Sequence, residues 1–342
     1  MLFSSSYRKF NFENHSFRYI TAIIVISIIG STNFKAKGQS LDFHKLESPI
    51  LFRGDSMTAY RDPMAVYHHK LFYLYFTLIE IEPDGKIFSY TALSKSKDLI
   101  HWTAVQKLTP RDQTLNFSSP GNVIRYKNKW VMCLQTYPRP EYTRDQMPRY
   151  GTNNARLYTM TSKDLAHWTA PQLMKVKGDT VSMESMGRMI DPFLIKDQKD
   201  KNKWWVFYKQ NGASRSYTND LKQWHYEGHS PAGENTCIVE VEGQYLMFHS
   251  PENGIGIKNS TDLIHWNDWA PTQILGQKEW SWARGRITAG FVLDLSKKNN
   301  IHRYLMFFHG SGPKTEQAGD FDKNASIGLA WSTDLKHWDW PK

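Results

Sequence analysis

The sequence predicts an all-β fold, a five-bladed β-propeller with four antiparallel strands per blade, and two observations carry that prediction. A seven-residue phrase, Ser/Thr-x-Asp-Leu-x-x-Trp, occurs five times, at residues 96–102 (SKDLIHW), 162–168 (SKDLAHW), 218–224 (TNDLKQW), 260–266 (STDLIHW) and 332–338 (STDLKHW). Upstream of each copy run apolar, β-branched and aromatic segments of strand length. Repetition on this scale marks units that bury their apolar faces against one another. The Trp-to-Trp intervals of 66, 56, 42 and 72 residues are too long and uneven for a solenoid and fit blades with loops of varying length.

Taken in chain order, residues 1–38 read as a signal peptide or an N-terminal anchor. Basic Arg8, Lys9 and Arg18 precede an apolar run from Ile20 to Ile29, and Ala36 and Gly38 flank a cleavage point before Gln39. The run is short for a bilayer span, and no Cys follows it to take a lipid. Residues 39–342 then form a single five-bladed propeller domain, and the protein is expected to be exported to the periplasm or the outside of the cell.

In the first unit the strands are expected at Pro63 to His68, Leu71 to Leu78 and Phe88 to Leu93. The corresponding middle strands are Trp130 to Gln135, Trp204 to Lys209, Tyr245 to His249 and Tyr304 to His309. In the repeated phrase, Ser/Thr and Asp bond nearby backbone N–H groups while Leu and Trp pack onto the sheet, which makes a clasp before the fourth strand. Trp102 to Gln106 and Trp168 to Leu173 are expected to be such fourth strands. The last clasp ends four residues before the C-terminus, so the fifth blade is expected to be closed by residues around Ile50 to Arg53. Cys133 and Cys237 fall in strand-like runs of units two and four and read as buried free thiols.

Composition narrows the function classes. The 342 residues are 40% hydrophobic and 14% aromatic, which suits a globular protein with a large core. The net charge of +10 drops to about +6 once residues 1–38, with five Lys or Arg and one acid, are set aside. The remaining Lys are scattered through turns, which argues against nucleic-acid binding and is compatible with an anionic substrate or polymer. After cleavage of the signal no membrane insertion is expected.

Aligning the units by their apolar runs turns the fold into a site. Asp62 lies eleven residues before Tyr73, Ser119 eleven before Trp130 and Glu234 eleven before Tyr245, with Asp191 in register across a charged insertion. One position at the head of the inner strand is therefore expected to hold Asp62, Ser119, Asp191 and Glu234, with Thr288 in blade five. Three carboxyls facing one channel need partners or a job. Arg61 and Arg188 lie beside two of them in sequence, and His249 and His309 end middle strands at matching places. Three carboxyls suit glycoside hydrolysis, in which one stays protonated for the leaving oxygen, one is ionised to activate water or attack the sugar, and a third tunes the first. Such chemistry requires no cofactor and no catalytic metal, and a structural cation in the central channel is compatible with it. Tyr60, Trp280 and Trp282 are candidate sugar platforms, and Arg53, Arg284 and Arg286 are candidate ligands for hydroxyls, a carboxylate or a sulfate.

The runs YRDPMAVYHHKLFYLYFT, MIDPFLIKDQKDKNKWWVFYKQ and ENTCIVEVEGQYLMFHS resemble the signature blades of family 43 glycoside hydrolases and their five-bladed relatives in families 32, 62 and 117. The resemblance spans residues 50–342 and implies that Asp62 is the general base, Asp191 the residue that tunes the acid, and Glu234 the general acid. It departs from the common pattern at Asn235-Thr236, where a small residue and Pro usually follow the acid, and at Ser118-Ser119-Pro120, where Trp-Ala-Pro is common. The function expected is an exported glycoside hydrolase acting on a plant or algal polysaccharide or oligosaccharide, with inversion. A retaining glycosidase or phosphorylase, or a non-catalytic glycan-binding propeller, are the alternatives on the same scaffold.

Overall fold

The structure is a computed structural model describing residues 41–147, 152–312 and 322–342. The expected signal peptide or anchor lies outside the described residues. Within them, no helix is long and apolar enough to cross a membrane.

The described residues form five four-stranded antiparallel sheets. Blade one comprises β2 (Thr58–His68), β3 (Leu71–Ile81), β4 (Ile87–Ser96) and β5 (Gln106–Lys107). Blade two follows with β6 (Phe117–Tyr126), β7 (Lys129–Thr136), β8 (Leu157–Ser162) and β9 (Gln172–Leu173). Blade three is β10 (Ile190–Lys196), β11 (Trp204–Lys209), β12 (Ala213–Thr218) and β13 (His225–Ser230). Blade four is β14 (Glu234–Val241), β15 (Gln244–Ser250), β16 (Ile255–Ser260) and β17 (Asn267–Gln273). Blade five has β18 (Arg286–Leu295), β19 (Arg303–Ser311) and β20 (Ser326–Ser332), and its outer strand is β1 (Ile50–Phe52), paired with β20. The fold is thus a five-bladed propeller closed by its N-terminal strand. The inner strands β2, β6, β10, β14 and β18 each touch the next, and β18 touches β2. The outer strands β1, β5, β9, β13 and β17 are the outer sheet edges, two to seven residues long.

The clasp works by the turn chemistry that its residues predict. In the first copy the Ser96 hydroxyl accepts from the backbone N–H of Leu99 at 2.8 Å, and Asp98 Oδ1 accepts from those of Ile100 and His101 at 2.9 and 2.8 Å. Leu99 takes a left-handed φ of 65°, as do Leu165, Leu221, Leu263 and Leu335 in the other copies. The Trp does more than close its own turn. Trp168 meets Tyr75 edge-on at 5.8 Å, Trp266 meets Phe207 at 6.0 Å and Trp338 meets Phe248 at 6.3 Å, so each is wedged against the middle strand of the preceding blade. The fourth strands β5 and β9 start later than the sequence suggested. Trp102 and Trp168 instead form single bridges to Ser96 and Ser162.

Blades approach closely at small residues. A Cβ on Gly121 would lie 1.5 Å from the carbonyl oxygen of Pro192 on the neighbouring inner strand. Cys133 (β7) and Cys237 (β14) are buried free thiols, both pushed up to about 12 by burial.

Candidate active site

Every inner strand carries a bulge at the same place. The ladder register jumps between Arg61 and Met64, Ser118 and Asn122, Ile190 and Phe193, Glu234 and Cys237, and Thr288 and Phe291. The first residue of each bulge has a left-handed φ: Asp62 at 46°, Ser119 at 40°, Asp191 at 54°, Asn235 at 52° and Ala289 at 53°. A non-glycine residue there is strained by about 1–2 kcal/mol, and bulges of this kind re-aim side chains next to sites. This register corrects the alignment drawn from the sequence. Asp62, Ser119 and Asp191 are equivalent as expected, but their blade-four equivalent is Asn235 and their blade-five equivalent is Ala289. Glu234 and Thr288 stand one residue earlier, at the position of Arg61, because the apolar spacing cannot show where the bulge residue sits.

The bulges are held by a repeated hydrogen bond. Four of the five strained N–H groups point at a side chain on the middle strand of the preceding blade. Asp62 N–H donates to His309 Nδ1 at 3.0 Å, Ser119 N–H to Thr77 at 2.7 Å, Asp191 N–H to Gln135 at 2.5 Å and Ala289 N–H to Ser250 at 2.7 Å. Thr77, Gln135, Ser250 and His309 occupy one ladder position, opposite Arg61, Ser118, Glu234 and Thr288. In blade three that position is Lys209, which has no acceptor. The Asn235 N–H accordingly turns to Asp191 Oδ2, at 3.4 Å.

The bulges bring Asp62, Asp191 and Glu234 to one cavity of about 180 Å³. Below the bulges the channel narrows to a space of about 30 Å³ lined by Pro63, Pro120, Pro192 and Phe291. Asp62 and Asp191 are buried, whereas the Glu234 side chain keeps 29% of its surface exposed. Burial pushes the Asp62 carboxyl up, but the Arg61 guanidinium and hydrogen bonds from Thr77 and Ser119 outweigh it and hold Asp62 below the usual carboxylate range. Thr77 Oγ1 donates to Asp62 Oδ2 at 2.9 Å. Asp191 goes the opposite way, pushed up to about 8 by burial and then by the negative charges of Glu234 and Asp62. Arg286 Nη2 donates to Glu234 Oε1 at 2.7 Å. At neutral pH the site therefore holds an ionised Asp62, a protonated Asp191 and a Glu234 paired with arginine.

Of the other candidates, Arg61, Arg188 and Arg286 line the cavity. His309 lies beneath it, fully buried, its ring pushed down to about 3 by burial. With Nδ1 accepting from Asp62, Nε2 carries the hydrogen and offers a donor, not a lone pair. The remaining candidates lie outside the cavity. His249 is matched in register by Phe308, not His309, and its Nδ1 accepts from Gly233 N–H at 3.0 Å. Trp280 is buried in a stack with Trp282 and Phe308 at 5.3 and 5.8 Å, so its indole serves the packing of blade five, and neither Trp280 nor the half-buried Trp282 lines the cavity. Tyr60 packs against Phe52 and Phe76. Arg53 and Arg284 are exposed and away from the cavity.

The cavity also holds residues that the sequence did not single out. Tyr137 and Arg139 follow β7, and Asp322 precedes β20. Arg139 and Asp322 form a buried ion pair at 3.0 Å, and the Tyr142 hydroxyl donates to Asp322 at 2.5 Å. The polar run Tyr137-Pro-Arg139-Pro at the channel end of a middle strand was the available signal. Asp322 offered none, because its partners Arg139 and Tyr142 stand 183 and 180 positions away in the chain.

Neither a protein-family model nor a curated protein sequence matches the chain. Solved structures do match in fold, among them glycoside hydrolases of families 43 and 62. The chain is similar to BT0996 in its complex with RGII, with a TM-score of 0.60 and 12% identity over 88% of this protein and 96% of that one. It is also similar to a GH62 hydrolase in complex with xylotriose (TM-score 0.58, 15% identity, 86% and 99% covered). An exo-1,5-α-L-arabinanase from a bovine ruminal metagenomic library matches with a TM-score of 0.53 and 13% identity over 82% and 95%. The fold is the one shared by family 43, family 62 and related glycoside hydrolases, as the sequence resemblance implied.

Proposed function

We propose that this protein is an exported glycoside hydrolase that releases single sugar residues from the end of a plant or algal polysaccharide or oligosaccharide, with inversion. The observation that carries the reading is the divergence of two buried carboxyls in one small cavity, Asp62 held ionised and Asp191 held protonated up to about pH 8. Carboxyls whose environments push their proton affinities apart are what acid and base catalysis by one site requires. A cavity of about 180 Å³ closed below by the bulges suits one sugar residue at a chain end better than a chain running through.

In this reading Asp62 accepts a proton from a water that attacks the anomeric carbon. The glycosidic C–O bond breaks, and the leaving oxygen takes a proton from Glu234. Glu234, the exposed one of the three carboxyls, reaches the leaving oxygen, and Asp191 lies near enough to feel its charge. Asp62 ends protonated and Glu234 ends ionised, and exchange with solvent restores both. The steps draw on side chains alone and need no cofactor.

The test is a screen of the purified protein against aryl glycosides, including α-L-arabinofuranoside, β-D-xylopyranoside, galactofuranoside, galactopyranoside and the uronides. Turnover of at least one is expected, with the product anomer opposite to the substrate's by proton NMR at early times. No turnover of any aryl glycoside or of plant and algal polysaccharides would overturn the reading.

A further inference from the structure

Among the described residues four guanidiniums line the cavity, and three of them answer a carboxylate. Arg139 pairs with Asp322, Arg286 pairs with Glu234, and Arg61 lies in the field of Asp62. Arg188 is different. Among the described residues no carboxylate lies within ion-pair distance of it, its Nε is buried without a hydrogen-bond partner, and its guanidinium rests 5.7 Å from the ring centre of Tyr137. The acid whose field reaches it, Asp191, keeps its own proton at neutral pH.

The backbone that carries Arg188 is braced from three sides. It leaves the one-turn helix α1 (Met183–Met186) through Gly187, whose φ is 70°. Buried Arg156 donates to the carbonyls of Met183 and, at 2.8 Å, Gly187. Lys177 donates to the Met186 carbonyl at 2.9 Å, and Gln210 Nε2 donates to the carbonyls of Met186 and Arg188 at 3.0 and 2.8 Å. Bracing of this kind fixes a side chain that must meet a ligand in one geometry. It leaves a cation, held in place and partly dehydrated, facing a sugar-sized space with no carboxylate of the described residues in ion-pair contact.

We infer that the cavity takes a sugar residue bearing an anionic substituent, a carboxylate or a sulfate ester, and that Arg188 reads this group. A neutral sugar would shield the guanidinium from water while leaving its charge unanswered, whereas a planar carboxylate or a sulfate face matches its fork of donors. The inference rests on the proposal that this cavity is the sugar site.

Calorimetry with the whole protein tests it, using monosaccharide pairs that differ in the charged group: galacturonate against galactose, glucuronate against glucose, and galactose 6-sulfate against galactose. At least one anionic member should bind about tenfold or more tightly than its parent, the margin expected of a charge-assisted hydrogen bond. The pair that shows the preference distinguishes carboxylate from sulfate. Arg188→Gln should remove the preference and Arg188→Lys should keep part of it, both with unchanged melting temperatures because the guanidinium holds no backbone. Should a variant fold poorly, the wild-type preference must still shrink as salt is raised. If no anionic sugar outbinds its parent, or if the preference survives in folded Arg188→Gln, the inference is overturned. Anion-selective binding without turnover of any glycoside would leave it standing and overturn the hydrolase reading. Turnover of neutral glycosides with no anion preference would do the reverse.

Discussion

Glu234 and Arg286 share an ion pair at 2.7 Å across the seam between blades four and five, in the cavity where the buried Asp191 carboxyl keeps its proton. Asp191 is held protonated by burial first and then by the negative charges of Glu234 and Asp62, which outweigh the opposing pull of Arg188. Arg286→Gln leaves the Glu234 charge uncompensated beside Asp191. The Asp191 proton should then leave at higher pH, and the alkaline limb of kcat/KM should move up from about 8. A limb that stays put or moves down would show that Arg286 acts on substrate alone.

Asp191 gives a prediction that needs no substrate. Its folded-state pKa lies above the ordinary value, so folding loses stability as pH rises from the unfolded pKa through the folded one at about 8. Asp191→Asn removes that loss. The melting temperature of the variant should match the wild type near pH 4, exceed it increasingly towards pH 8 by about 3 °C or more, and then level off. An equal gain or loss at every pH would mean that the group is not held protonated by the fold.

The clasp tryptophans should matter to the fold and not to sugar binding. Trp338 is buried and meets Phe248 edge-on at 6.3 Å. Trp338→Ala should cost about 3–5 kcal/mol of stability, the range for emptying a large aromatic site, with KM unchanged at temperatures where the variant is folded. A raised KM with an unmoved denaturation midpoint would return these residues to the role of a sugar ladder.

His309 supports Asp62 through one bond, from the strained Asp62 N–H to Nδ1. His309→Leu leaves that buried donor unmet, at a cost of about 1–3 kcal/mol, and should lower kcat more than it raises KM because the base loses its aim. His309→Asn offers a shorter acceptor and should recover part of the rate. Equal rates in the Leu variant and the wild type would separate the bulge geometry from catalysis.

The blade count, the channel-lining strand, the two thiols and the closing strand near Ile50 were all legible, because each follows from local periodicity and turn chemistry that repeat in sequence. The acids were found by the same register, yet the offset of Glu234 by one residue was not, since a bulge shifts side chains without disturbing the apolar pattern. Trp280 and Trp282 stack on one another away from the cavity, and an aromatic on a loop reads alike in sequence whether it faces a ligand or a neighbouring ring. Arg139 and Asp322 lie 183 positions apart and meet only when the ring closes, and no local signal announces such a pair. The hydrogen bond from each strained bulge to the preceding blade was hidden for the same reason, although Thr77, Gln135, Ser250 and His309 stand at one repeat position.

The central claim is that Asp62 and Glu234 carry the chemistry, and the most direct measurement is turnover by folded Asp62→Asn and Glu234→Gln on a glycoside with a poor leaving group. Each substitution keeps the side chain's shape and removes its protonation chemistry. Loss of about a hundredfold or more in kcat is predicted for both, with melting transitions as sharp as the wild type's. Activity above about a tenth of wild type in either folded variant, far from the hundredfold that general acid or base catalysis supplies, would contradict the account and place the chemistry elsewhere.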